Sequence, residues 1–267
     1  VLDLPEDWRV LTAWPQDDAG GWQIRNPNRK FDRPTGWLGT GRLGIRRERV
    51  AGIQVAVGGP LRQGVQRVSM LALMRWTLPS LVELIPGEPP ARLALLSAGD
   101  PMWRGGLSGP KSLYIHAERP LISEDGTSTL LHELVHVLLP VAAADDQDWI
   151  DEGLAEYLTL RILRDTDTIS ARRYTRSIGR FRQRSAGVSL AGAAATGAQT
   201  ARAVVLFHDL DRELLAASDG QRGMLELASA LSAAPGPLDL ATLTELARKI
   251  GGPGDYASLA AAAAPQQ

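Results

Sequence analysis

One pentapeptide limits what this chain can be more than any other feature: His132-Glu133-Leu134-Val135-His136. It lies in a run from Thr127 to Leu139 that is closed by Pro140 and carries Leu130, Leu131, Leu134, Val135, Val137 and Leu138. Such a run predicts a helix that is apolar nearly all round, and therefore buried, with Thr127 or Ser128 as its cap. Residues four apart share a helix face one turn apart, so both imidazoles can reach a single point. Two imidazoles and a carboxylate inside a buried helix need partners, and a metal ion supplies them. With four His in the chain, chance placement yields roughly 0.003 such patterns. The spacing therefore predicts His132 and His136 as metal ligands. Glu133, beside the first ligand, stands where a general base for metal-assisted hydrolysis belongs.

The metal follows from composition. The chain has no Cys, so disulfides and thiolate ligands are excluded and a zinc site must use His and carboxylates. A third ligand is expected on a neighbouring helix. The segment Trp149-Ile150-Asp151-Glu152-Gly153-Leu154-Ala155-Glu156-Tyr157 offers two carboxylates one turn apart. One of Glu152 and Glu156 can bind the ion, and the other can accept the free ring N–H of a ligand histidine and fix its tautomer.

The HExxH helix followed by a W-x-(D/N)-E-G-x-A segment resembles the gluzincin clan of zinc metallopeptidases. The nearest likenesses are the aminopeptidase N-like and glycyl aminopeptidase-like families, with thermolysin more distant. The likeness covers about residues 90–215. It implies a zincin-like α+β fold and Zn2+ as the cofactor, with a peptide or protein as substrate. It also implies Glu152 as third ligand and Glu156 as the group supporting a histidine ligand. The fifteen residues between His136 and Glu152 make a shorter gap than these families show, which leaves Glu156 as the alternative ligand.

Two further departures bear on activity. Aminopeptidases of the clan carry a Gly-rich strand ahead of the HExxH helix, with a Glu that grips the substrate amine. Gly105-Gly106-Leu107-Ser108-Gly109 stands there, with Ser108 near the place of that Glu. Without the carboxylate an N-terminal ammonium loses its charge partner, so an endopeptidase, or an enzyme of unusual specificity, is expected ahead of an aminopeptidase. Ser112 to Ala117 is then expected to be the edge strand that pairs with extended substrate, with the glycines an ordinary turn as the plain alternative. The clan also stabilises the oxyanion with a Tyr or His on a later helix. His208 is the candidate here, with Tyr174 behind it. The same zinc ligands would also serve a hydrolase of a non-peptide amide or ester. The missing Glu and Tyr also leave open a weakly active or inactive binding module of the same fold.

Elsewhere the pattern gives organisation. The 267 residues are 44% hydrophobic and 22% charged, enough for a core that holds a buried polar site. A β-rich segment is expected over 1–55 and a catalytic domain over 56–267, its strand part at 56–125 and its helical part at 126–255. Strands are expected over 42–49, 50–57, 92–97 and 112–117. Helices are expected over 61–85, 148–163, 171–184, 201–217, 221–233 and 238–250, with a loop over 185–200 and an Ala-rich tail after Asp255. Net charge is −1, so no global field points to nucleic acid or membrane. No apolar run is long enough to span a bilayer. The start at Val1 rather than Met reads as a removed leader or a trimmed sequence, and the first leads to the expectation of an exported, periplasmic or extracellular protein. The Arg-rich stretch Arg161 to Arg184 reads as a solvated face paired with Asp165 and Asp167, or as a basic surface for an acidic partner.

Overall fold

The structure, a computed structural model, describes residues 4–25, 30, 33–190 and 196–263. They gather into two compact units. The first comprises 1–82, 89–121 and 129–138; the second comprises 83–88, 122–128 and 139–267.

In the first unit, Val/Ile-rich alternation and short turns build a five-stranded sheet of order β3-β4-β5-β7-β6. β3 (Leu43–Val50) and β4 (Ile53–Pro60) form an antiparallel hairpin. Its two-residue turn, Ala51-Gly52, takes positive φ at both positions (47° and 82°), a geometry that suits the strands' twist and that Gly adopts without strain. α1 (Arg67–Val82) crosses over to β5 (Arg92–Ala98), which runs parallel to β4. Pro79 lies inside α1, as the sequence implied, but the helix starts six residues later than the expected position 61. β7 (Ser112–His116) is parallel to β5, and β6 (Gly106–Gly109) is antiparallel to β7. A two-stranded ladder, β1 (Arg9–Leu11) with β2 (Gly39–Gly41), accompanies this sheet. Leu11 of β1 joins Leu43, Ala56 and Ala94 in one buried cluster. A boundary between residues 55 and 56 falls inside β4, where Val55 stands between Glu48 and Leu93.

Two expectations for this unit are corrected. Ser112 to Ala117 is not the edge strand: β7 lies between β5 and β6, all five of its residues are buried, and the edge is β6. The glycine-rich segment is a strand rather than a turn. With glycines at both ends and only four residues, it carries no period-2 hydrophobic signal, and its pairing is set by the hairpin to β7.

α2 (Thr129–Leu138) packs on β6 and β7 and buries Leu130, Leu131, Leu134, Val135 and Leu138. The second unit is helical: α3 (Trp149–Asp165), α4 (Ala171–Arg184), α5 (Gly197–Ala217), α6 (Met224–Ala233), α7 (Leu240–Gly251) and α8 (Ala257–Ala263). α5 is central and packs against α3, α4, α6, α7 and α8. It begins at a Thr196/Gln199 capping box, four residues before the expected start, so the expected 185–200 loop is shorter; its residues 191–195 lie outside the described ones. The tail expected after Asp255 contains α8, whose Leu259 is buried. Among the described residues no helix is long and apolar enough to cross a membrane. The α+β class, with its small N-terminal sheet and helical C-terminal part, is as expected.

Candidate metal centre

The histidine pair is set by α2 alone. His132 and His136 stand one turn apart, their rings T-shaped with centroids 4.7 Å apart and their Nε2 atoms 3.0 Å apart. Two nitrogens bound to one tetrahedral zinc at ~2.0–2.1 Å would be about 3.3 Å apart, so the rings are posed nearly as a shared ion requires. Glu133 is 9% exposed, on the α2 surface that meets β6. Gly106 shows how close that meeting is. A Cβ there would lie 2.7 Å from Glu133 Cγ and Oε1, and 2.7 Å from Thr129 Cγ2. The edge strand therefore runs directly against the expected general base.

The orientation of β6 follows from one hydrogen bond. The His116 N–H donates to the Gly105 carbonyl (3.0 Å). By the alternation of an antiparallel ladder, Gly105, Leu107 and Gly109 turn their main-chain groups to β7, while Gly106 and Ser108 turn theirs to the open edge. Gly106 and Ser108 share the face toward α2, and Leu107 lies on the opposite face.

The carboxylates come from α3. Trp149 anchors its first turn: the side chain is buried and its ring centroid is 6.3 Å from that of Phe207 on α5. Asp151 and Glu152 occupy the same turn, where the helix dipole favours negative charge. Gly153 explains the E-G pair in physical terms. A Cβ at this position would lie 2.2 Å from the Cβ of Ala203, so α3 and α5 approach closely beside Glu152. Glu156 stands one turn further on and is half-buried like Glu152.

Among the described residues, one group of His, Asp or Glu side chains could hold a metal ion: His132, His136 and Glu152, with one ligand atom from each lying within 4.8 Å of the others. The donor set, two imidazole nitrogens and a carboxylate oxygen, is one that zinc accepts. Glu156, the alternative ligand, is not in this group.

Comparison with solved structures supports the same architecture. An aminopeptidase N family protein from Idiomarina loihiensis matches with a TM-score of 0.66 and 17% identity, over 90% of this chain and 52% of that one. An M1 zinc metallopeptidase from Deinococcus radiodurans gives 0.64 and 18%, over 86% and 53%. The chain shares their fold. A mutant of the Deinococcus radiodurans metallopeptidase bound to a Tyr-Ser-Ala substrate gives 0.62 and 17%, over 86% and 54%. At these identities the likeness is one of fold, and the chain spans about half the length of the structures it matches. No protein-family model matches the sequence, and no curated protein matches it either.

His208 sits on α5 and is half-buried. Its Nδ1 is 3.0 Å from the Tyr174 hydroxyl, so the two residues that the sequence offered for oxyanion stabilisation are bonded to each other. Burial lowers the His208 pKa; Arg182 and Arg212 add to this, and Asp209 and Asp211 oppose it. Burial likewise raises the Tyr174 pKa.

Sequence reasoning missed the group beneath this pair. Asp211 is 4% exposed and accepts from the Tyr157 hydroxyl (2.6 Å), the Met224 N–H (2.7 Å) and the Arg161 guanidinium. A charged residue amid Leu210 and Leu214 was the available signal. The Arg-rich stretch is largely absorbed by structure. Arg161 pairs with Asp165 and Asp211, and Arg182 with Asp209, while Arg173 and Arg180 donate to the Ser123 and Glu124 carbonyls. Asp167, expected to pair with it, makes no ion pair among the described residues and sits in a turn at φ 53°.

Proposed function

We propose that the chain is a zinc-dependent peptidase. What supports the reading is the group His132, His136 and Glu152, with one ligand atom from each within 4.8 Å of the others, together with the packing of Glu133 against the edge strand β6. His132, His136 and Glu152 would hold the zinc, which when bound would supply Lewis acidity and a water of near-neutral pKa. Glu133 takes the proton of the attacking water and passes it to the leaving amine. Glu156, one turn from Glu152, holds the tautomer of a ligand histidine. The outward N–H and C=O groups of Gly106 and Ser108 align an extended peptide by main-chain hydrogen bonds. When Tyr174 donates to Nδ1 of His208, the neutral ring carries its proton on Nε2, and that N–H is the donor to the developing oxyanion.

The structural neighbours, one named for the aminopeptidase N family, lend no support to the preference for internal bonds. What supports it is position 108, where serine leaves a substrate ammonium without a charge partner. Peptides with free and acetylated N-termini separate the two specificities.

The test of the peptidase reading is Glu133→Gln, with metal content measured in parallel. One zinc per chain and a loss of hydrolysis of at least a hundredfold are expected. A Gln variant that digests a peptide library as fast as the parent overturns the role of Glu133, and a chain that binds no zinc overturns the reading.

A further inference from the structure

β6 has a second face, which the chemistry above does not use. Leu107, opposite Tyr114, points away from α2 and is 42% exposed. On the same face the Trp37 ring lies 5.3 Å from that of Tyr114, and the Trp37 indole N–H donates to the Leu107 carbonyl (3.0 Å). Gly105 shares this face, and a Cβ on it would meet the Trp103 indole at 2.2 Å, so that ring covers the strand just before Leu107. The Trp103 main chain is pinned there by the Tyr114 hydroxyl, which donates to its carbonyl (3.0 Å). Trp103 is nonetheless 66% exposed. Two indoles and a leucine thus line the outer face of a strand whose outer edge pairs with no other strand among the described residues.

We propose that Trp103, Leu107 and Trp37 form a specificity platform for a large apolar side chain of the peptide substrate. The inference rests on the peptidase reading. The argument is one of register. In a strand added to β6, residues opposite Gly106 and Ser108 turn their side chains to the α2 face, and the residue opposite Leu107 turns its side chain to the other. That residue is next in sequence to the one opposite Gly106, against which Glu133 lies. Its side chain lands on Leu107 between the two indoles. Aromatic surfaces with few rotatable bonds gain contact area there at low entropic cost. The occupant is a peptide because the patch continues into the outward N–H and C=O groups of the edge, which an extended main chain pairs in register.

The test measures binding to the full-length, zinc-loaded Glu133→Gln protein by calorimetry, so that no turnover is needed. The probes are octapeptides identical except for Phe, Leu or Ser scanned through each position. At one position Phe and Leu are expected to bind about tenfold more tightly than Ser, the scale of discrimination an apolar subsite provides. In Trp103→Ser and Leu107→Ser that ratio falls below about twofold. Trp76→Ser, which removes an equally exposed indole on α1 (69%), leaves it unchanged. Absence of a preferred position, or a preference that survives both substitutions, overturns the platform. So does a dimer that Leu107→Ser dissociates, since a second copy would then cover the edge. Cleavage by the unsubstituted protein, assayed separately, reports on the peptidase reading: a preference without cleavage retains the platform and removes the enzyme, and cleavage without a preference does the reverse.

Discussion

At the residue scale, the half-buried His208 ring sets a pH dependence whose sign is fixed. Burial lowers the folded pKa of His208 below its ordinary value, so the fold holds the neutral ring. Between the lowered pKa and about 6.5 the unfolded chain binds more protons, and stability rises with pH there. The contribution is fully present above about pH 6.5 and is lost as the pH falls through the folded pKa. Thermal unfolding from pH 7.5 to pH 5 should therefore show a decline in Tm that is shallower in His208→Gln. Parallel slopes in the two proteins would show that His208 is not the titrating group. His208 and Tyr174 could both be named from sequence, but their bond to each other could not. Thirty-four positions separate them, and only the packing of α4 on α5 brings them together.

At the element scale, two contacts fix how the helices of the second unit sit on α5. The first is the Gly153–Ala203 approach. Gly153→Ala gains about 1 kcal/mol of helix propensity. It also inserts a methyl 2.2 Å from another, which forces α3 and α5 apart at a cost of about 1–3 kcal/mol. The second effect should win, giving a lower denaturant midpoint, and weaker zinc binding because Glu152 is the adjacent residue. The second contact is Asp211, which ties α3 and α6 to α5 through Tyr157, Arg161 and Met224. Asp211→Ala leaves the largely buried Arg161 guanidinium with Asp165 alone and deprives the Tyr157 hydroxyl and the Met224 N–H of their acceptor, and the loss should be about 3–5 kcal/mol in urea unfolding. Most of these helices were legible because their apolar residues repeat at helical spacing. β6 was not, since a four-residue glycine-flanked strand has no period to read, and its neighbour β7 took the edge role by default.

At the scale of the whole molecule, a metal bound by the folded chain and not by the unfolded one adds stability by mass action. Free zinc at a thousand times its dissociation constant adds about 4 kcal/mol. Chelation should lower Tm, and added zinc should restore it; His132→Ala should unfold at the chelated temperature whether or not zinc is present. A Tm indifferent to chelator would show that no ion is shared by these residues.

The sequence by itself determined the donor chemistry. A pentapeptide with i and i+4 imidazoles on an apolar helix dictates a shared ligand point through helix geometry alone, and the absence of Cys leaves only nitrogen and oxygen donors. Tertiary structure brings Glu152, rather than Glu156, into the group with the two histidines, a difference that the sequence cannot carry because the two carboxylates share one helix ridge. It likewise decided which strand is the open edge. Local periodicity records which face of an element is buried, but the partner and edge of a strand depend on pairings between segments distant in sequence.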